Sequence, residues 1–163
     1  MYSVSVMSRF LPLVLLLGCS DYKISVQSFS ETFFQNDRSE GVDILWVIDN
    51  SATMYEEHDL LIASADDFIS FVANSSVDFQ LGVVSTDMDE DAGALRGPVL
   101  NTETSDMADR FVDQIVGDRM GSRDERGFEA AILGADPARN SDFARARADL
   151  ELVVFSDEDD HSD

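Results

Sequence analysis

Lysine is nearly absent from this chain of 163 residues, with Lys23 the sole example, and 11 basic side chains stand against 33 acidic ones. The formal charge of -22 and a pI of about 4.1 argue against nucleic acid or an anionic membrane face as partner, because like charge repels both. They favour cations and basic surfaces. With one cysteine, no internal disulfide can form. The two histidines, His58 and His161, have no second His or Cys at ligand spacing, which removes the usual zinc sites. His58 is expected on a helix surface and His161 in an acidic tail. There is no Gly-rich phosphate loop and no Ser-His-Asp arrangement. No apolar run approaches the roughly 20 residues needed to span a bilayer, since the stretch over 10–17 has only eight.

That stretch follows Ser8-Arg9 and precedes Gly18-Cys19, which is the pattern of a secretory leader. Leu16-Leu17-Gly18-Cys19 resembles the lipobox of bacterial lipoproteins, in which cleavage precedes the cysteine and the cysteine is lipidated. This resemblance implies a signal peptide over 1–18, a lipid on Cys19, and anchoring in the bacterial cell envelope. Ser20 after the cysteine points to the outer membrane by likeness to enterobacterial sorting. Translation starts at Met1 or at Met7, the latter giving a more compact positive region. Residues 19–40 are polar with scattered Phe29, Phe33 and Phe34 and read as a tether.

With 44% hydrophobic residues, the remainder can bury one core, and 41–163 reads as one domain. Val42–Ile48 is a β-rich apolar run bounded by Gly41 and Asp49, so a buried strand is expected. Leu61, Ala65, Phe68, Ile69 and Val72 recur at helical spacing with acids between them. A second strand is expected over 77–85, an acidic turn over 87–93, and a short edge strand over 94–100 weakened by Gly97-Pro98. Met107, Phe111 and Ile115 mark a second helix ended by Gly117. Phe128, Ala131, Ile132 and Ala135 mark a third, stopped near Gly134 and Pro137. A short helix around Phe143 and a buried strand over 150–155 complete the pattern. Alternating strands and helices predict an α/β fold, with a mostly parallel, doubly wound sheet.

Two of these strands end in oxygen-rich sequence, Asp49-Asn50-Ser51-Ala52-Thr53 and Ser156-Asp157. Ligands of parallel α/β sheets sit at the carboxyl ends of the strands, near the switch point of the winding. Aspartates and hydroxyls meeting there suit a hard divalent cation, which takes oxygen ligands.

Asp49-x-Ser51-x-Thr53 resembles the Asp-x-Ser-x-Ser signature of von Willebrand factor type A domains, the metal-ion-dependent adhesion site, and Phe155-Ser156-Asp157 is similar to that family's later strand ending in Thr-Asp-Gly. The resemblance covers about 43–157. It implies a Rossmann-like sheet with one antiparallel edge strand. It also implies a site for Mg²⁺ or Mn²⁺, with Ca²⁺ as a further candidate, held by Ser51 and Thr53 and backed by Asp49 and Asp157. A protein ligand offering a carboxylate completes the coordination, so the chain is expected to be a binding module and no enzyme.

The family also supplies a coordinating Thr from the loop before the third helix. Here 121–127 contains none; Ser122 supplies a hydroxyl, or Asp124 or Glu125 a carboxylate, with Thr86 a more remote substitute. A carboxylate would tighten cation binding and lessen the demand for a partner's acid. The family continues past the Asp157 strand with further strands and helices, so an incomplete domain is expected, truncated at its C-terminus. Its apolar sheet edge is then left exposed or is covered by another chain.

Two other readings compete. An apolar strand ending Asp49-x-Ser51-x-Thr53, with paired acids after a later strand, is similar to haloacid dehalogenase-like phosphohydrolases, in which Asp49 would be the nucleophile. Ser51 stands where a general acid is required, and the lone Lys23 lies in the tether. Asp87-Met88-Asp89-Glu90-Asp91 alternates acids like a calcium loop, but Pro98 falls where a bidentate Glu belongs. A solvated turn is the simpler account, and the tail after Asp157 reads in the same way.

Overall fold

The computed structural model describes residues 40–117 and 121–162. The leader, Cys19 and the tether up to residue 39 lie outside the described residues. The chain divides into two units, 1–35 and 36–163, and the second carries all the described structure.

Four strands form one sheet: β1 (Val42–Ile48), β2 (Phe79–Ser85), β3 (Leu100–Asn101) and β4 (Asp149–Phe155). Their order is β3-β2-β1-β4. β1 pairs in parallel with both β2 and β4, whereas β3 is antiparallel to β2. Three helices accompany them: α1 (Tyr55–Ala73), entered through a 3₁₀ turn at Ala52–Met54, α2 (Met107–Val116) and α3 (Gly127–Gly134). None of the helices among the described residues is long and apolar enough to cross a membrane.

Alternation along β1 assigns its side chains to two layers. Trp46 and Ile48 face α1 and α2, packing with Leu61, Ala65, Ile69, Phe111 and Ile115. Trp46 meets Phe68 and Phe111 edge-on at centroid distances of 5.1 and 5.2 Å. Leu45 and Val47 face the opposite side, where Ala130 and Ala131 of α3 bring that helix close and Phe143 closes the cluster. The result is a mixed α/β fold with helices on both faces of a mostly parallel sheet.

Three expectations are corrected. The strand expected over 94–100 shrinks to Leu100–Asn101. Gly97 adopts φ +121°, and Pro98 has no amide hydrogen to give a ladder. The segment around Phe143 is a turn, with the Phe143 amide donating to the Asn140 carbonyl at 3.1 Å. β4 is not buried, for it forms the sheet edge and α3 does not reach across it. Leu150, Leu152 and Val154 are 44%, 46% and 48% exposed.

Register positions the site. Ile48 lies level with Ser85 on one side and Phe155 on the other, so residues 49, 86 and 156 leave the sheet side by side. At the opposite end of β1, buried Asp43 accepts from Arg145 Nε at 2.8 Å, while Arg145 Nη1 reaches Asp78 at 2.9 Å. Burial opposes the Arg145 charge, but the two carboxylates outweigh it and hold the guanidinium above its ordinary pKa.

Candidate metal centre

Asp49 is fully buried just beyond the end of β1. Its amide donates to Phe155 at 2.9 Å, extending the β1–β4 ladder by one residue. One carboxylate oxygen accepts from the Ser51 amide at 2.8 Å, and the other accepts from the Ser156 hydroxyl at 2.7 Å. A buried carboxylate requires such donors, and here they come from its own loop and from the end of β4.

Ser51 stands at the N-cap of the 3₁₀ turn yet makes no side-chain cap bond. Its hydroxyl instead pairs with that of Thr53 at 2.8 Å, and Thr53 Oγ1 lies 3.4 Å from Asp157 Oδ1. Asp49 and Ser51 are buried, whereas Thr53 and Asp157 are exposed. The oxygen chain therefore runs from the core to solvent.

From the other side, Glu125 enters. Residues 87 and 125 form an isolated antiparallel bridge, and the Arg126 amide donates to the Thr86 carbonyl at 3.2 Å. This extension of β2 sets Glu125, 1% exposed, against the buried Thr86, whose hydroxyl donates to Glu125 Oε2. Glu125 Oε1 has no hydrogen-bond partner among the described residues. Its pKa is pushed up from 4.5 to about 7, chiefly by burial; the Thr86 hydroxyl pulls it down, and the Asp49 and Glu158 carboxylates push it up.

The structure thus draws Asp49, Ser51, Thr53 and Asp157 into one hydrogen-bonded series and sets Glu125 beside Asp49. Ser122 makes local contacts: its amide donates to Asp87 Oδ2 and its hydroxyl accepts from the Asp124 amide, both at 3.0 Å. Asp124 pairs with His161 at 3.1 Å. Of the three candidates in this loop, Glu125 alone is set against Asp49. Asp87 caps its own turn through the amides of Asp89 and Glu90 at 2.8 and 3.1 Å, which fits a structural turn.

Three participants go beyond the ligand set expected from sequence, in which Thr86 stood only as a remote substitute and Ser156 only as a neighbour of Asp157. Thr86 and Ser156 each follow a strand level with β1, and the strand-end rule that singled out Asp49 applies equally to them. His58, expected on the helix surface, is fully buried, with Nε2 2.7 Å from the Asp49 carbonyl oxygen. Nor is the tail only solvated: Asp160 Oδ1 accepts from the Phe128 amide at 3.1 Å and Ser162 Oγ from that of Glu129 at 3.0 Å, so it caps the start of α3.

Among the described residues, no three His, Cys, Asp or Glu side chains are grouped to hold a metal ion. A cation here must draw on hydroxyl oxygens as well as carboxylates. The donor set fits that demand: two hydroxyls hydrogen-bonded to each other, a buried carboxylate, and an orphaned carboxyl oxygen on Glu125. No protein-family model matches the chain, and no curated protein is found as a relative.

Proposed function

We propose that this protein is a lipid-anchored binding module whose domain is of the von Willebrand factor type A kind, with a Rossmann-like, doubly wound sheet. It binds Mg²⁺ or Mn²⁺ at the strand ends and, through the cation, a protein ligand. The reading is supported above all by the series Asp49, Ser51, Thr53 and Asp157, with Ser51 leaving its capping role vacant and pairing with Thr53. Ser51 and Thr53 are the direct ligands, Asp49 and Asp157 supply charge, and Glu125 takes the place of the loop threonine. When bound, the cation supplies positive charge and open positions for a partner's carboxylate oxygen.

The phosphohydrolase alternative asks Asp49 to attack a substrate. Full burial, with both carboxylate oxygens already accepting hydrogen bonds, suits a supporting charge better than a nucleophile.

Calorimetric titration of the metal-free protein with MnCl₂ or MgCl₂ tests the site. The expected result is one binding event, lost in Asp49→Ala and Ser51→Ala variants. An intact protein with no heat of binding and no metal-dependent change in melting temperature overturns it. Mass spectrometry of Cys19 from the native host tests the anchor, and a free thiol removes it.

A further inference from the structure

We infer that His58 is a positioning residue: its imidazole holds the Asp49 carbonyl and thereby presets the Asp49–Ser51 turn from which the cation ligands project. A carbonyl oxygen can only accept, so in the 2.7 Å contact Nε2 carries the hydrogen. The bond fulfils a specific need. Asp49 is the first residue past β1, where its carbonyl has left the ladder and stands in a fully buried position. A carbonyl stranded there demands a donor, and His58, in the first turns of α1, reaches back nine residues to provide it.

The cost of this arrangement argues that it has a purpose. His58 Nδ1 is buried and has no hydrogen-bond partner among the described residues. Such an atom gives up its hydration with nothing in return, which destabilises a core. The next buried α1 positions, Leu61, Ala65, Ile69 and Val72, are all apolar, and an apolar residue at 58 would avoid the orphaned nitrogen. What it could not do is fix the Asp49 peptide. The same turn carries the Asp49 carboxylate bond to the Ser51 amide and sets Ser51 Oγ against Thr53, so freedom at the Asp49 carbonyl passes directly to the ligand oxygens. Residues that orient metal ligands commonly change affinity about 10- to 100-fold when removed.

The affinity consequence rests on the proposed cation site, whereas the local ordering does not, and two readouts separate them. In the metal-free protein, amide hydrogen exchange at Ser51 is compared with that at Val47 in the core of β1. His58→Leu is expected to speed exchange at Ser51 selectively, and His58→Gln, which keeps an N–H donor, to restore protection. In Mn²⁺ titrations, His58→Leu is expected to weaken binding about tenfold or more and His58→Gln to recover most of it. If the wild-type protein fails to bind Mn²⁺, the cation reading falls while the exchange comparison still decides the positioning role. Equal acceleration at Ser51 and Val47, or unchanged exchange and affinity in His58→Leu, overturns the inference. Should His58→Leu not fold, His58→Met makes the same comparison, and failure of both to fold assigns His58 to the core alone.

Discussion

Ser156 donates its hydroxyl to Asp49 at 2.7 Å across 107 residues of sequence, joining the end of β4 to the end of β1 at the point where both leave the sheet. This bond closes the candidate site on its β4 side and leaves Asp49 with a donor on each carboxylate oxygen. Ser156→Ala removes one of them from a buried carboxylate. The expected cost is about 1–3 kcal/mol in urea unfolding of the metal-free protein. An unchanged unfolding midpoint would show that water replaces the hydroxyl without penalty.

The burial of Glu125 gives the metal-free protein a pH dependence whose sign follows from linkage. The folded pKa, about 7, lies above the ordinary 4.5, so between these values the folded state binds more protons than the unfolded one. Stability from this group is complete below about pH 4.5 and is lost as the pH rises through 7. At about 1.4 kcal/mol for each tenfold change in proton affinity, the full effect is about 3 kcal/mol. Melting temperatures in EDTA should fall between pH 5 and 7.5 for the wild type and fall less for Glu125→Gln. Parallel curves for the two proteins would disprove the assignment.

Much of this arrangement is legible in sequence because strand ends are. An apolar run stopping at Asp49 announces a buried strand and its terminus together, and a second apolar run stopping at Phe155 announces the terminus of β4, though not its burial. What sequence conceals is register. Thr86 and Ser156 join the site only because Ile48 pairs level with both Ser85 and Phe155, and Glu125 only because the Arg126 amide bonds to the Thr86 carbonyl. His58 was misplaced for a different reason. Its position continues the buried stripe through Leu61, Ala65, Ile69 and Val72, but a titratable residue flanked by acids reads as surface unless its acceptor is known. The β4 strand carries two expectations, burial from its Leu and Val content and exposure of an apolar sheet edge, and its place at the edge exposes it.

Asp160 tests whether the acidic tail is part of the fold. Burial works against its charge, but the amides of Phe128, Ser162 and Gly127 and the Ser162 hydroxyl outweigh it and hold the carboxyl below its ordinary value. A depressed folded pKa means that this stability is present above about pH 3.8 and is lost as the pH falls. Asp160→Ala should cost about 0.5–2 kcal/mol at neutral pH, as loss of an N-terminal helix cap does, and the difference from wild type should close in acid. A variant as stable as wild type at pH 7 would return the tail to solvent.

Arg145 separates stability from the site. Asp43 is 1% exposed and depends on the Arg145 side chain for its partner charge, at the end of β1 remote from Asp49. Seven strand residues at about 3.3 Å each place the two ends roughly 20 Å apart. Arg145→Ala leaves a buried carboxylate uncompensated, which costs about 3–5 kcal/mol, whereas Asp43→Asn combined with Arg145→Ala removes the stranded charge and should recover part of that loss. Neither change touches the oxygen series around Ser51, so at a temperature where the variants remain folded their Mn²⁺ affinity should match the wild type. Affinity falling in step with stability would mean that the strand ends do not act as an independent site, and that the cation reading reflects global folding instead of local ligation.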